Sequence, residues 1–384
     1  MKVGFDARHL RANSLRGMDR YTIELIKELT RLGVGVTLFH REREPLNLAH
    51  VQGFDCRVVG LSDYCGLHWE QVAVPMALAQ GKFDLYHAPA ERGVPLLAPC
   101  PVVFTVHSVT AHSYYHFVQQ GFLPGTVADY LGYDFQPNAI DFWKVLFKLQ
   151  LRKARHILAP SDFCRSELLQ FLGLSPDKVT TTHLATSDSF QHDQQSKMLL
   201  GRLNINQPYI LYVGGYEPHK NVSGLLKVFA LVKQHCPEVM LVVVGTQFPF
   251  KQLQQEAIAL GLTLDQDVLF LVDLGDELVA LYRNAELFVS LSWRETFCLP
   301  ALEALTCGTP AIGSKFGAFP EVTGEAGITI DPRDLQATAE TIVQKLRIQL
   351  KEQVLETAYQ QSQKFSWTET AKKTLGIYQK LLAH

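Results

Sequence analysis

No Gly-x-Gly-x-x-Gly follows any of the apolar runs in this 384-residue chain, and no Walker sequence occurs in it. The first absence argues against a dinucleotide-binding dehydrogenase, and the second leaves no P-loop nucleotide site. The seven cysteines, at positions 56, 65, 100, 164, 236, 298 and 307, form no Cys-x-x-Cys. An odd, scattered set of this kind points to free thiols in a reducing compartment and away from a disulfide framework or a zinc site. There is no lysine-arginine run and the formal net charge is −2, so no global field draws the chain to nucleic acid and any anion site is local. No apolar stretch is long enough to span a bilayer, and the amino terminus runs directly into Lys2-Val3-Gly4-Phe5-Asp6, which reads as a first strand and not as a cleavable signal. The expected address is cytoplasmic, with peripheral attachment at the inner face of a membrane left open.

What is present is a chain of ordinary soluble composition, 47% hydrophobic and 19% charged, long enough for two separate cores. Its first third alternates short apolar runs, at residues 3–5, 36–39, 84–87 and 102–106, with a helical stripe of Tyr21, Leu25, Leu29 and Leu32. An aromatic, irregular passage follows between Ser108 and Pro137, and ordered loops of that length are more often functional than idle. After a basic helix at about 141–155 and a strand from Ile157, residues 184–195 are polar and without period, which sets a domain boundary there. From Pro208 a second series begins, with strands at 209–213, 240–245, 268–272, 287–291 and 310–313. Helices are expected between them at 222–233, 250–260, 277–284 and 299–306. Such alternation predicts an α/β fold of two Rossmann-like, doubly wound parallel sheets, in domains 1–190 and 191–365. Residues 367–382 repeat Ala371, Leu375, Tyr378 and Leu381 at helical spacing.

The most informative stretch is residues 293–310, Trp-Arg-Glu-Thr-Phe-Cys-Leu-Pro-Ala-Leu-Glu-Ala-Leu-Thr-Cys-Gly-Thr-Pro. It follows a short apolar strand; Pro300 suits a first helical turn and Gly308 the position past a helix end. Glu295 therefore falls in a strand-to-helix loop, where open α/β sheets bind ligands and helix amides face phosphates. The macrodipole alone favours acidic residues at a helix start, so position does not separate a ligand carboxylate from a capping one, and the flanking residues must.

Glu295-x7-Glu303 followed by Ala-Leu-x-Cys-Gly-Thr-Pro resembles the signature of the GT-B retaining glycosyltransferases of family 4, the glycosyl transferases group 1. The resemblance implies a GT-B fold with the two domains facing a cleft, an acceptor-binding first domain, a donor-binding second domain, and a terminal helix of about 366–384 packing back on the first. By the same resemblance Glu295 binds donor sugar hydroxyls, Glu303 the nucleotide ribose, and Thr296, Phe297, Cys298 and Leu299 offer backbone amides to sugar and phosphate. Val213-Gly214-Gly215-Tyr216-Glu217-Pro218-His219-Lys220-Asn221 is similar to the family's Gly-Gly-x-x-Pro-Arg-Lys-Asn element, in which the lysine contacts the donor phosphates. A fixed cation there neutralises a diphosphate leaving group without a metal ion. Thr105-Val106-His107-Ser108 resembles the family's Thr-x-His-Asp, whose histidine lies beside donor sugar and acceptor. Arg16-Gly17-Met18-Asp19-Arg20-Tyr21 resembles its Gly-Ile-Gly-Arg-Tyr turn, where Gly17 allows close backbone approach. The chain departs from these patterns at Asp19, Ser108, Gly215, His219 and Cys298, and a histidine supplies less positive charge at neutral pH than the usual arginine. Cys298 reads as packing, His87 as structural or acceptor-side, and Glu321 as structural support.

The resemblance, which is strongest to the bacterial mannosyltransferase branch, implies a metal-independent, retaining hexosyltransferase that uses a nucleotide-sugar, first GDP-mannose and next UDP-glucose, on a glycan or lipid-linked acceptor in cell-surface polysaccharide synthesis. His107, Lys220 and Glu295 are its expected catalytic residues; no cofactor, metal or nucleic acid is expected. Other readings are a catalytically silent sugar-nucleotide or glycan-binding protein on the same scaffold, and a glycoside hydrolase using paired carboxylates. The basic, amphipathic segment 141–153 suits an anionic lipid surface as well as the commoner packed helix.

Overall fold

The computed structural model describes the chain except residues 12–16, 45, 91, 191–199, 246–249, 273, 276, 349 and 384. Arg16 of the turn before the first helix and part of the expected domain boundary lie outside the described residues. The chain divides into two compact units. One comprises Met1–His116, Phe135–Leu184 and Ser366–His384, and the other Phe117–Asp134 and Ala185–Phe365. The segment 117–134, which the sequence places in the first domain, is thus part of the second unit; its aromatic rings find their partners there, as Phe122 does against Phe316 at 6.2 Å.

The first unit is built on seven parallel strands, β1 (Lys2–Asp6), β2 (Gly35–Arg41), β3 (Cys56–Leu61), β4 (Leu85–Ala88), β5 (Val102–Thr105), β6 (His156–Ala159) and β7 (Val179–Thr181), in the order β3-β2-β1-β4-β5-β6-β7. The second holds six: β8 (Tyr209–Val213), β9 (Met240–Gly245), β10 (Val268–Val272), β11 (Leu287–Ser290), β12 (Ala311–Ser314) and β13 (Gly327–Ile330), in the order β10-β9-β8-β11-β12-β13. Every pairing between these strands is parallel. Central strands such as β9 and β11 are buried at every residue, as expected of a parallel sheet covered by helices on both faces, which is why they read as unbroken apolar runs. The strands absent from the sequence reading, β3, β7 and β13, are all edge strands, short or only half-buried. Partly exposed and broken by Arg57 and Gly60, by Thr180 and Thr181, and by Thr329, they carry no such run.

Strand order reverses between β1 and β4 in the first sheet and between β8 and β11 in the second. At such a switch point the two following loops diverge to opposite faces and leave a crevice at the carboxyl ends. The loops after β8 and β11 are the two that carry Lys220 and Glu295.

The last helix, Trp367–Leu382, belongs to the first unit and buries Trp367, Thr370, Ala371, Thr374 and Tyr378, residues three and four apart on one face. The Tyr378 hydroxyl lies 2.6 Å from Nδ1 of His87, whose Nε2 lies 2.7 Å from Oγ1 of Thr105; the Tyr21 hydroxyl is 2.9 Å from the same oxygen. This buried polar chain ties the helix to β4, β5 and the helix Gly17–Arg31. His87 is fully buried and pushed down to about 3 by burial, so it is a neutral structural link.

Candidate functional site

The site in the second unit starts from the ends of β8 and β11, which pair in register as Leu287 with Ile210 and Phe288 with Leu211. Three contacts then join the two loops beyond them. The Trp293 amide donates to the His219 carbonyl at 2.8 Å, and Nδ2 of Asn221 donates to the Leu291 carbonyl at 3.1 Å. The third is the ion pair: Nζ of Lys220 donates to Oε1 of Glu295 at 2.8 Å and to Oε2 at 2.9 Å. The Ser292 hydroxyl donates to Oε1 at 2.8 Å.

Burial alone would strip both charges, raising the Glu295 carboxyl and lowering the Lys220 ammonium. Their mutual attraction and hydrogen bonds reverse both effects, so Lys220 is raised and Glu295 lowered. Both are charged at neutral pH. The side chains keep 21% and 15% of their surface exposed, so the pair is partly dry yet reachable by solute. An ammonium has three donors, and Glu295 takes two; among the described residues the third has no partner and remains for another anion. The half-buried His219 is pushed down to about 4, chiefly by burial and then by Lys220, so it is neutral and Lys220 alone supplies charge on the turn Pro218–Lys220.

Asn221 caps the helix Val222–Lys233 from a left-handed conformation, φ 53°, which asparagine tolerates better than most residues. That geometry explains the lysine-asparagine pair, in which the sequence pattern alone gives Asn221 no role. Gly214 donates to the Val244 carbonyl at 3.0 Å, and the Tyr212 hydroxyl donates to the Gly215 carbonyl at 2.7 Å. A Cβ on Gly215 would fall 2.0 Å from Oε2 of Glu217, so a glycine here lets that carboxylate fold over the backbone.

Cys298 is the residue before the helix Leu299–Thr306 and has φ 69° and ψ 54°. This is the left-handed region that costs an L-residue about 1–2 kcal/mol, which accounts for the glycine usual in the motif. The thiol is buried among apolar residues of the second unit, and burial pushes it well above the ordinary range. It stays protonated and packs; it is no nucleophile. Thr296 and Phe297 precede it on the same loop, and the Phe297 ring packs edge-on against Phe365 at 5.7 Å. Leu299 and Pro300 open the helix, and Cys298 makes no side-chain cap hydrogen bond there. Glu303 is only 2% exposed and its Oε2 accepts from the Tyr282 hydroxyl at 2.7 Å. The Glu295 loop also rests on Gly317: φ there is 87°, and a Cβ would lie 2.6 Å from both N and O of Glu295. Nothing local in the sequence marks Gly317 or Tyr282, since their partners lie more than twenty residues away along the chain.

In the first unit His107 follows β5, and its Nε2 lies 2.8 Å from the carbonyl of Pro89, which follows the neighbouring strand β4. Its ring meets Tyr21 edge-on at 4.9 Å, on the helix that Gly17 opens. Burial pushes His107 down to about 4, against the raising effect of the Pro89 carbonyl. A carbonyl can only accept, so the neutral ring carries its proton on Nε2 and presents Nδ1 as an acceptor. A Cβ on Gly17 would meet nothing within 4 Å, and Asp19 on the same helix start is buried.

Residues 15–187 match the family model described as Glycosyltransferase Family 4, and residues 200–362 match that described as Glycosyl transferases group 1. The two matches span most of the chain, which belongs to this family of GT-B glycosyltransferases. The O-antigen chain mannosyltransferase B of Escherichia coli is 32% identical over 237 residues, 60% of this chain and 62% of that protein. The serotype-specific mannosyltransferase WbdA of the same organism is 29% identical over 66% of this chain but only 32% of its own length. The chain therefore covers less than two thirds of these relatives. A D-inositol 3-phosphate glycosyltransferase of Corynebacterium efficiens is 24% identical over 94% of this chain and 90% of that protein. Among solved structures, HepE of Anabaena in complex with UDP and glucose superposes with a TM-score of 0.76 at 19% identity, covering 99% of this chain and 100% of that one. Sucrose-phosphate synthase from Thermosynechococcus elongatus gives 0.75 at 19%, over 100% and 99%. At such identities the likeness concerns the fold.

Proposed function

We propose that this chain transfers a hexose from a nucleotide-sugar to a glycan or lipid-linked acceptor, with retention and without a metal ion, in cell-surface polysaccharide synthesis. Mannose from GDP-mannose is the first choice and UDP-glucose the second. The observation that carries the reading is the charged Lys220–Glu295 pair at the switch point of the second sheet. The two mannosyltransferase relatives support mannose.

In this reading the third N–H of Lys220 and the amides at the start of the helix Leu299–Thr306 meet the diphosphate. Glu295, fixed by Lys220 and Ser292, accepts from sugar hydroxyls, and Glu303, oriented by Tyr282, serves the ribose. His107 accepts a hydroxyl hydrogen bond through Nδ1. The bond from the anomeric carbon to the phosphate oxygen breaks as the acceptor oxygen joins the same face, and the acceptor's proton passes to the departing phosphate. A carboxylate that Lys220 keeps ionised is a poor proton donor, which supports Glu295 as an orienting group and speaks against the hydrolase reading.

Release of nucleoside diphosphate that requires acceptor, measured with GDP-mannose and UDP-glucose, tests the reading. Loss of that release in Glu295→Ala and Lys220→Ala is expected, and its survival in both rejects the site. Stabilisation by a donor without turnover assigns the chain to the silent binders.

A surface of the first unit supports peripheral contact with anionic lipid. The helix Phe142–Lys153 exposes Phe142, Trp143, Val145 and Leu149 on turns that also expose Lys148, Arg152 and Lys153. Apolar side chains flanked by cations are what an interfacial helix uses. Among the described residues no helix is long and apolar enough to cross a membrane. Co-sedimentation with vesicles rich in anionic lipid, absent with neutral vesicles, is the expected result.

A further inference from the structure

The aromatic segment 117–134 has no place in the donor chemistry above, yet it forms one wall of a cavity of about 430 Å³ in the second unit. Phe122 of that segment, Trp293 from the Glu295 loop, and Asn221, Ser223 and Lys227 from the helix after Lys220 line it together with Arg333. We propose that this hollow is a second glycan subsite, which holds sugar residues of an oligosaccharide beside the donor site.

The lining matches the chemistry of a sugar ring, which has a face of C–H groups and a rim of hydroxyls. Phe122 is 40% exposed and rests against Phe316 at 6.2 Å, so its open face is presented by packing. Trp293 adds a second aromatic surface with a polar N–H, the combination suited to a contact that is apolar on one side and wet on the other. The Arg333 guanidinium lies 5.3 Å from the Phe316 centroid and 6.0 Å from that of Phe122. Asp331 accepts from its Nε at 2.9 Å and its Nη2 at 2.5 Å, and is held in turn by Lys315 at 2.9 Å. The fork is therefore oriented before any ligand arrives, and its Nη1 has no partner among the described residues, which leaves two donors for hydroxyls. Nδ2 of Asn221 donates to Leu291, but its oxygen adds an acceptor, and the Lys227 ammonium, half exposed and 3.9 Å from Glu256, adds a cation at the rim. The size falls in the ordinary range for small-ligand pockets. Continuity with the donor site is covalent: Asn221 adjoins Lys220, and Trp293 stands two residues before Glu295.

The identity of the ligand as a glycan rests on the glycosyltransferase reading, so the test reads the two separately. The full chain is titrated calorimetrically with α-linked mannotetraose and with cellotetraose, each against its monosaccharide, and in parallel its thermal stabilisation by GDP-mannose and UDP-glucose is recorded. At least one tetrasaccharide is expected to bind more tightly than its monosaccharide. Phe122→Ala and Arg333→Ala should each weaken that binding by about tenfold, the loss of one stacked or hydrogen-bonded contact. Phe122→Trp should retain it, and donor-induced stabilisation should be unchanged in all three variants. Absence of tetrasaccharide binding, or binding unchanged in both alanine variants, overturns the subsite while leaving the donor reading intact. Absence of any donor-induced shift in the unmodified chain counts against the transferase reading instead.

Discussion

Lys220 and Glu295 stand 75 residues apart in sequence, yet Nζ lies within 2.9 Å of both carboxylate oxygens. Each group keeps the other charged in a partly dry setting. Removing one partner leaves an unpaired charge, and the cost is in that orphan as much as in the lost contact. Because the pair is only partly buried, Lys220→Met is expected to destabilise the fold by about 1–3 kcal/mol, the cost of one unsatisfied group, and much less when Glu295→Gln is also present. Urea denaturation of the two single variants and the double variant measures the coupling, and strictly additive costs would show that the pair does not act as a unit.

Cys298 holds a conformation that glycine adopts without strain. Cys298→Gly relieves that strain but loses a buried thiol, and the two effects are each of order 1 kcal/mol. Stability within about 1 kcal/mol of the parent is expected, whereas Cys298→Val, β-branched at positive φ, should cost clearly more. Chemical denaturation of the pair decides. Equal losses would mean that packing, not backbone conformation, governs the position.

Gly317 is required twice, by φ 87° and by the Glu295 backbone only 2.6 Å from any added Cβ. Backbone cannot swing aside as a side-chain end can. Gly317→Ala is predicted to cost about 2 kcal/mol or more and to displace Glu295, so donor-induced thermal stabilisation should fall even in the fraction that folds. Parent-like stability and donor response would show that the loop shifts freely.

Acid should unfold this protein earlier than its carboxylates alone suggest. Burial holds His87 down to about 3 and His107 to about 4, so between the ordinary value of 6.5 and those values the unfolded chain takes up protons that the folded one does not. Stability is complete above that window and declines as pH falls through it, by up to about 1.4 kcal/mol per pH unit for each such histidine. Glu295, held below the ordinary range, adds a further loss as pH falls through its folded value. Urea midpoints at pH 7 and pH 5 should differ accordingly; identical midpoints would mean that the folded chain protonates these rings as readily as the unfolded one.

Tyr378→Phe removes the hydroxyl 2.6 Å from His87 and leaves a buried ring nitrogen without its partner. A loss of about 1–3 kcal/mol is expected. Faster hydrogen exchange confined first to the helix Trp367–Leu382 would locate it. Unchanged exchange there would mean that apolar packing alone holds that helix.

Much of the fold was legible because burial leaves a periodic mark. Strands β8, β9 and β10 and the helices Val222–Lys233, Glu277–Asn284 and Leu299–Thr306 fall where the apolar pattern puts them. The pattern fades at β3, β7 and β13, which are only partly buried and have polar or glycine residues among their apolar ones. The aromatic stretch 117–134 was visible as unusual, but its membership of the second unit was not, since it depends on partners such as Phe316 and Arg333 far along the chain.

By itself the sequence determined the alternation of strands and helices, the loops that carry Glu295, Lys220 and His107, and the glycine-like demand at Cys298, because local pattern and motif encode burial and backbone conformation. Tertiary structure alone decided that Lys220 closes on Glu295, that Gly317 underlies that loop, that Tyr282 orients Glu303, and that Pro89 sets the tautomer of His107. Each is a contact between separate strand ends or helices, and the order of strands in a sheet, which brings them together, leaves no mark in any short window of residues.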